Sequence, residues 1–469
     1  MDCRNFIGHT KLSYIEIAMN ERVVILGAGE SGTGAALLAK AKGYDVFVSD
    51  QGTIKDNYRD DLLRNKIEFE EGKHSEEKVL NASLLIKSPG IPQKAEIIKK
   101  AKAKGIEIID EIEFGFRFIQ GKVIAITGTN GKTTTTLLTY HLLKTAGFSV
   151  ALAGNVGESL ARKVAHGNHD WYVLEISSFQ LDGTKTFKPA IGILLNITPD
   201  HLDRYEYKME NYVASKFRIM QNMDAKDHFI YYADDAVITS ALKTQKPTPH
   251  LVRISLKDKN QVYYDGTVMQ FGFDENFNVA QSDTTLKGPH NLINTMAAVS
   301  AAHLAGAKLK AIREGLKTFR NAPHRLEHVG TINGVDFIND SKATNVDSVV
   351  YALGSYTQPL IWIAGGIDKG NDYNLIKDDV SKKVKTLICL GTENEKLKNF
   401  FGGVVKTILE TQNVSALVRM ALQEAKPGDV VLLSPACASF DLFKNYEDRG
   451  DQFRKAVQEL RKEVENQLV

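Results

Sequence analysis

The stretch that most constrains this chain is GKVIAITGTNGKTTTTLLTYHLLKTAG, residues 121–147. Its apolar, β-branched start, Val123 to Ile126, predicts a buried strand. A tight loop follows, Gly128-Thr129-Asn130-Gly131, and then Lys132, Thr133 and Thr134. Leu137, Leu138, Tyr140 and Leu142 then recur at helical spacing until Gly147 ends the run. Strand, glycine loop, Lys-Thr and helix make a phosphate cradle. Backbone N–H groups and a helix N-terminus face the anion, Lys132 adds a point charge, and the Thr133 hydroxyl suits Mg²⁺. The usual first glycine of such loops is replaced by Ile126. The expectation is a chain that binds a nucleoside triphosphate.

The 469 residues suggest about three domains. A charged fraction of 25% and a hydrophobic fraction of 43% are those of an ordinary globular protein. The net charge of +2 gives no electrostatic argument for nucleic acid or a membrane surface. Cys3, Cys389 and Cys437 show no disulfide or metal-ligand spacing, as expected of a reducing cytoplasm. The first residues, with Asp2, Glu16 and Glu21, do not read as a signal peptide. No stretch approaches the ~20 apolar residues of a membrane span.

The first segment, 1–110, repeats strand and helix. Val23 to Leu26 leads into Gly27-Ala28-Gly29-Glu30-Ser31-Gly32, a helix to Lys42, and a second strand, Asp45 to Ser49, ending at Asp50. This G-x-G-x-x-G with a later acid is the dinucleotide fingerprint, but the same geometry serves any nucleotide diphosphate, and NAD is one candidate among several. A third strand, Leu84 to Ile86, runs into Lys87-Ser88-Pro89-Gly90-Ile91-Pro92, a rigid loop at a strand's carboxyl end.

The second segment, 111–321, contains the phosphate loop. Trp171 to Ile176 reads as a buried strand bearing Glu175, a carboxylate that needs a partner there; Mg²⁺ near Thr133 would supply one. Ile191 to Asn196 leads into Pro199-Asp200-His201-Leu202-Asp203-Arg204-Tyr205, dense in possible ligands. Helix Met209 to Met220 carries Lys216 in apolar company, where a snorkelling lysine is the plain alternative to a functional one. Residues 228–286 read as a β-rich excursion. Asn291 and Asn294 share a face of the helix that follows, placed to grip an adenine or ribose edge or to cap the helix.

The third segment, 322–469, offers at least four strands alternating with helices: Val335 to Ile338, Leu360 to Ala364, Thr386 to Leu390 and Val430 to Leu433. Polar or glycine-rich loops follow three of them, at the end where such sheets build sites.

Thr127-Gly128-Thr129-Asn130-Gly131-Lys132-Thr133, Asp340-Ser341-Lys342-Ala343-Thr344-Asn345 and Pro323-His324-Arg325 together resemble the Mur ligase family. Within it, Leu433-Ser434-Pro435-Ala436-Cys437-Ala438-Ser439-Phe440-Asp441 and Lys444-Asn445-Tyr446-Glu447-Asp448-Arg449-Gly450 are similar to the D-glutamate-adding branch. The D-N-P-R motif of the diaminopimelate-adding relatives is absent. Folylpolyglutamate synthases share the phosphate loop but are not expected to share that C-terminal run.

The resemblance implies an α/β chain of three domains: a Rossmann-like UDP-binding domain, a central P-loop ATPase-like domain and a C-terminal Rossmann-like domain. It implies ATP-driven addition of D-glutamate to UDP-N-acetylmuramoyl-L-alanine through an acyl phosphate, by a cytoplasmic monomer in peptidoglycan precursor synthesis. Lys132, Glu175, His201 and Lys216 would be catalytic. Two Mg²⁺ ions would be held among Thr133, Glu175, His201 and a carbamylated Lys216. Gly128 to Thr134, Asn291, Asn294, Arg325 and Asp340 would bind ATP. Glu30, Ser31, Asp50, Ser88, Asn155, Gln180 and His201 would hold the UDP substrate. Lys342, Thr344, Lys369, Ser439, Phe440 and Tyr446 would hold D-glutamate. Glu30 and Gln51 depart from what a pyrophosphate or uridine would be expected to meet.

Overall fold

The computed structural model describes residues 21–200, 202–273 and 277–467, so His201 and Cys3 lie outside the described residues. Three sheets carry the fold. The first is wholly parallel, with β1 (Arg22–Leu26), β2 (Asp45–Ser49), β3 (Glu68–Glu70), β4 (Leu84–Lys87) and β5 (Glu107–Asp110) in the order β3-β2-β1-β4-β5. Val23, Val24, Ile25 and Leu26 are fully buried, as an unbroken apolar run covered on both faces requires. Leu84 to Ile86 belongs to the fourth strand rather than the third. The strand before it has only three residues, Glu68-Phe69-Glu70, with no apolar run to mark it.

The second sheet contains β6 (Lys122–Thr127), β7 (Val150–Gly154), β8 (Trp171–Glu175), β9 (Ile191–Leu194), β10 (His228–Tyr232), β11 (His250–Ser255), β12 (Val262–Tyr264), β13 (Val268–Phe271) and β14 (Phe277–Ala280). Their order is β14-β13-β12-β11-β10-β9-β6-β8-β7, so the phosphate-loop strand β6 lies between β8 and β9. The excursion expected to be β-rich also contains a helix, Ala236–Gln245. Asp235 caps it by accepting from the Val237 and Ile238 N–H groups, and Ile238 and Leu242, four apart, bury its inner face.

Buried acids join the first two sheets. Asp110, at the end of β5, caps the helix Glu111–Phe116 by accepting from the Ile112 N–H at 2.9 Å. Glu111 accepts from the Ala161 N–H at 2.5 Å, and Glu113 from the backbone of Lys185, Thr186 and Phe187 at 2.8–3.0 Å. Burial raises the Asp110 carboxyl to about 7. Burial, with the Asp110 charge beside it, raises Glu111 to about 8.

The third sheet has β15 (Glu327–Ile332), β16 (Val335–Asn339), β17 (Leu360–Gly365), β18 (Val384–Leu390), β19 (Thr407–Thr411) and β20 (Val430–Ala436), ordered β15-β16-β20-β17-β18-β19. The four expected strands are its centre. β15 and β19 are half-buried edges, and β15 alone pairs antiparallel. The chain forms two compact units: one takes the residues up to Ala280 with Ile293–Lys317, the other Gln281–Leu292 with the chain from Thr318 onward. Among the described residues no helix is long and apolar enough to cross a membrane.

Candidate active site

The phosphate loop opens where β6 ends. Gly131 caps the helix Lys132–Thr145 at φ 84°, and a Cβ there would lie 2.4 Å from the Asn294 Oδ1, so both backbone and space demand glycine. Asn294 also accepts from the Thr135 hydroxyl at 3.2 Å, which ties the predicted asparagine to the loop's helix. The chain after β9 braces the loop. Asn196 exchanges two amide hydrogen bonds with the Asn130 backbone, at 2.8 and 3.0 Å. The Thr129 hydroxyl donates to the Thr198 carbonyl at 3.1 Å and lies 3.2 Å from the Tyr212 hydroxyl. The sequence analysis singled out neither Asn196 nor Tyr212. Their signal, a polar residue at a strand end and an aromatic on a helix, is too common to stand out.

Two lysines converge on one carbonyl. Lys132 Nζ donates to the Gly128 and Thr129 carbonyls at 2.9 and 2.8 Å. Lys216 Nζ, from the helix Met209–Phe217, donates to the same Gly128 carbonyl at 2.8 Å. Lys216 is 1% exposed and lies over the Tyr212 ring at 4.6 Å, so it does not snorkel. Burial pushes its pKa well below the usual lysine range and the Lys132 charge adds to that, against a smaller opposing pull from Asp200. Two cations so close need an anion between them, or one of them must be neutral.

Glu175, at the end of β8, is 3% exposed. Its Oε1 accepts from the exposed Asn155 amide at 3.0 Å, while its Oε2 is buried with no partner. An orphaned carboxylate oxygen is costly unless a cation completes it, and Thr133, also buried, opens the helix that follows the loop. Among the described residues no group of three or more His, Cys, Asp or Glu side chains forms a metal cluster. Among the described residues, the Thr133 hydroxyl and Glu175 are the groups that could hold an ion here.

Lys132, Asn155 and Lys216 line one cavity of about 250 Å³ with Pro89, Gly90, Ser177, Ser178, Phe179, Asp200, Arg204 and Tyr212. Arg204 lies over the Phe179 ring at 4.5 Å and donates to the Pro89 carbonyl at 3.3 Å, linking the loop after β4 to the phosphate-loop sheet. Gln180 does not line this cavity. Its Oε1 accepts from the Ser177 N–H in a capping box.

The glycine loop after β1 borders a second cavity, of about 500 Å³, with Asp50, Gln51 and His74. A Cβ on Gly32 would lie 1.8 Å from the Gly27 carbonyl, whereas one on Gly29 meets nothing within 4 Å. The third glycine thus packs helix on loop, and the second faces open space. Asp50 accepts from the Ala28 N–H at 2.6 Å and the Gly52 N–H at 2.7 Å, so both its oxygens already shape the loop. The Ser88 hydroxyl reaches the Gly27 carbonyl at 3.5 Å, and Ser31 is half-buried in the first turn of the helix. Glu30 accepts from the Ser159 N–H and from Arg162, both at 2.9 Å, a structural engagement that accounts for an acid beside a phosphate loop.

In the other unit, Asp340 accepts from the Ser434 hydroxyl at 3.0 Å and the Leu326 N–H at 3.2 Å. Burial raises it to about 7, against the Ser434 hydrogen bond and the Arg325 charge. Asn291 donates to the Lys287 carbonyl at 2.7 Å. Lys342 lies 5.1 Å from the centre of the Tyr446 ring. The Thr344 N–H donates to the Lys342 carbonyl, Lys369 and Phe440 are exposed, and Ser439 is buried. Arg449, 1% exposed, donates to the Ser341 hydroxyl and carbonyl at 2.9 and 2.8 Å, to the Cys437 carbonyl at 3.3 Å and to the Gly365 carbonyl at 3.4 Å, stapling the chain at the ends of β16, β20 and β17. Burial lowers it to about 10. Sequence reasoning found the run containing Arg449 but not this task.

Comparison with known proteins gives a consistent picture. Residues 21–110 match the Mur ligase MurD-like N-terminal domain, 126–302 the Mur ligase middle domain, and 324–437 the glutamate ligase domain of Mur ligases. The UDP-N-acetylmuramoylalanine–D-glutamate ligase of Cytophaga hutchinsonii is 54% identical over 94% of this chain and all of its own. That of Bacteroides thetaiotaomicron is 50% identical with the same coverage. Among solved structures, a pseudomurein peptide ligase type C from Methanothermus fervidus aligns over 94% of this chain and 100% of its own, with TM-score 0.61 and 20% identity. The UDP-N-acetylmuramate-alanine ligase MurC from Thermotoga maritima aligns over 93% and 99%, with TM-score 0.61 and 18% identity. The structural likenesses show the fold, and the near-complete 50–54% identities show the kinship: the chain belongs to the Mur ligase family.

Proposed function

We propose that this chain adds D-glutamate to UDP-N-acetylmuramoyl-L-alanine at the expense of ATP, in the cytoplasmic synthesis of peptidoglycan precursors. The observation that carries the reading is the convergence of Lys132 and Lys216 on the Gly128 carbonyl, beside a cavity open to a substrate. The names of the relatives that match over their full length support the particular substrates.

Mur ligases use ATP with Mg²⁺. Glu175 Oε2 and the Thr133 hydroxyl fit one such ion, which would neutralise charge on the transferring phosphoryl group. Lys132 leaves its loop carbonyls to meet the γ-phosphate, and the loop's N–H groups hold the β-phosphate. The substrate carboxylate takes the γ-phosphoryl group, giving an acyl phosphate and ADP. The amine of D-glutamate then attacks the acyl carbon, an amide forms, and phosphate leaves with the amine's proton passing to solvent or a neighbouring base.

Lys216 is disposed to carry a carbamate. A buried amine with a depressed pKa has its lone pair available, so its Nζ adds to the carbon of CO₂ and sheds a proton. The product is an anion beside Lys132, which relieves the like-charge pair and would suit a second Mg²⁺; His201 is proposed beside it. Asn155 and Gln180 are proposed at the muramoyl end, and Ser31, Asp50 and Ser88 around the UDP part. Arg325, Asp340, Asn291 and Asn294 are proposed for ATP, and Lys342, Thr344, Lys369, Ser439, Phe440 and Tyr446 for D-glutamate.

The test is phosphate release from ATP. It should require both UDP-N-acetylmuramoyl-L-alanine and D-glutamate; equal release with L-lysine, diaminopimelate or a pteroate substrate would overturn the assignment.

A further inference from the structure

The 500 Å³ cavity at the carboxyl ends of β1, β2 and β4 contains a histidine that no motif singles out. His74 follows β3, its Nδ1 is 2.7 Å from the Ser49 hydroxyl, and that hydroxyl is 2.7 Å from Glu70 Oε1. Glu70 also accepts from the Ser75 N–H at 2.7 Å and the Ser75 hydroxyl at 2.6 Å. Burial alone would raise the Glu70 pKa, but the hydrogen bonds from Ser75 and Ser49 outweigh it and hold the carboxyl low. Glu70 is therefore an acceptor only.

The direction of the relay follows. Ser49 has one proton. If that proton went to His74, the Ser49 and Glu70 oxygens would face each other at 2.7 Å with no hydrogen between them. Ser49 must then donate to Glu70, and His74 must donate to Ser49 from a protonated Nδ1. Burial lowers the His74 pKa against the pull of Asp50 and Glu70, so the ring is neutral near pH 7. A neutral ring protonated on Nδ1 has a lone pair on Nε2. No described residue donates to that nitrogen.

Position names what the nitrogen meets. The helix N-terminus that receives phosphate follows β1, Asp50 follows β2, and His74 follows β3, neighbours in that order across the sheet. Two strand spacings, about 10 Å, separate the first from the last. Phosphate, ribose and base lie in that order along a nucleotide, and Ile91, Pro92 and Ile97 give the cavity an apolar wall for a ring.

We infer that His74 Nε2 accepts the N3–H of the uracil ring, so that the Glu70–Ser49–His74 relay selects uridine over cytidine in the nucleotide substrate. Cytosine presents a lone pair at N3 and would set two acceptors against each other. The inference rests on the proposed UDP site and deepens it.

Nucleotide binding tests it with UDP, CDP and 2′-deoxy-UDP, measured by calorimetry on the intact protein. A buried hydrogen bond that cannot form costs about 1–3 kcal/mol, roughly 5–150-fold in affinity. UDP is expected to bind that much more tightly than CDP, and His74→Ala to reduce the ratio to a few-fold by weakening UDP alone. In turnover, the loss should appear in KM for the uridine substrate while KM for ATP holds, a split that general unfolding would not produce. Nitrogen-15 NMR of the parent should find the proton on Nδ1, and Ser49→Ala should move it toward Nε2.

A His74→Ala variant that keeps full discrimination against CDP overturns the inference and leaves the UDP site standing. So does a variant that loses discrimination against 2′-deoxy-UDP instead, since the acceptor would then serve the ribose. A proton found on Nε2 in the parent overturns the relay itself. A parent that binds no UDP removes the underlying site, and the inference with it.

Discussion

Two glycine loops in this chain share one local design and differ in what surrounds them. Each follows a buried parallel strand and opens a helix: Gly27 to Gly32 after β1, Gly128 to Thr133 after β6. The first is fixed in shape by Asp50, which accepts from the Ala28 and Gly52 N–H groups, and has no lysine. The second meets two lysines on one carbonyl and an orphaned carboxylate oxygen. Backbone N–H groups and a helix terminus suffice to hold a phosphate that does not react. Moving a phosphoryl group requires charge placed where charge develops. On the proposed function, the first loop would hold its phosphate and the second would do the chemistry.

The strongest way to break this contrast is Lys132→Ala. ATP-dependent phosphate release should fall on the order of 10³-fold, as losses of transition-state charge stabilisation do, while UDP binding by calorimetry stays as in the parent. Loss of UDP binding as well would mean that the loops are not independent.

Lys216→Ala should cost on the order of 10²-fold in turnover, a loss typical of a removed electrostatic group. Acetate or formate should restore part of it, by standing in for the carbamate anion, and should not rescue Lys132→Ala. Full activity in Lys216→Ala would sink the proposed metal role.

Within the first loop the glycines should separate. Gly32→Ala forces a Cβ to 1.8 Å from the Gly27 carbonyl and should destabilise by about 1–3 kcal/mol, seen as a lower melting temperature. Gly29→Ala, with nothing within 4 Å, should leave melting unchanged and raise KM for the UDP substrate.

The smallest expected effect concerns the acids that join the two sheets. Asp110 and Glu111 are raised to about 7 and about 8 by burial, above their unfolded values near 4. The folded state then binds more protons than the unfolded state between those limits. Stability should therefore decline as pH rises from about 4 to about 8 through these two groups, and level off above. Denaturant melts across that range should show a shallower decline in Asp110→Asn; an identical pH dependence would remove Asp110 from the account.

Much of the fold was legible because its strands are continuous apolar runs ended by glycine or polar loops. Where a strand lacked such a run, as at Glu68–Glu70, or lay half-exposed at an edge, as at Thr407–Thr411, the pattern gave no mark. The helix Ala236–Gln245 was hidden by the short strands around it. Of the residues around the candidate site, Lys132, Glu175 and Lys216 were named from motif and resemblance. Asn196, Tyr212 and His74 were not, since each works through a neighbour distant in sequence, and Arg204 appeared only as one of a run of possible ligands.

The sequence by itself determined that strand β6 turns at Gly128 to Gly131 into a helix beginning with Lys132, because glycine adopts the positive φ found there without strain and such a turn aims N–H groups at an anion. Tertiary structure decided what that turn is used for. It brought Lys216 from 88 residues away to the same carbonyl as Lys132 and buried it until its charge became costly. Spacing along the chain cannot encode desolvation; that depends on everything packed around the group.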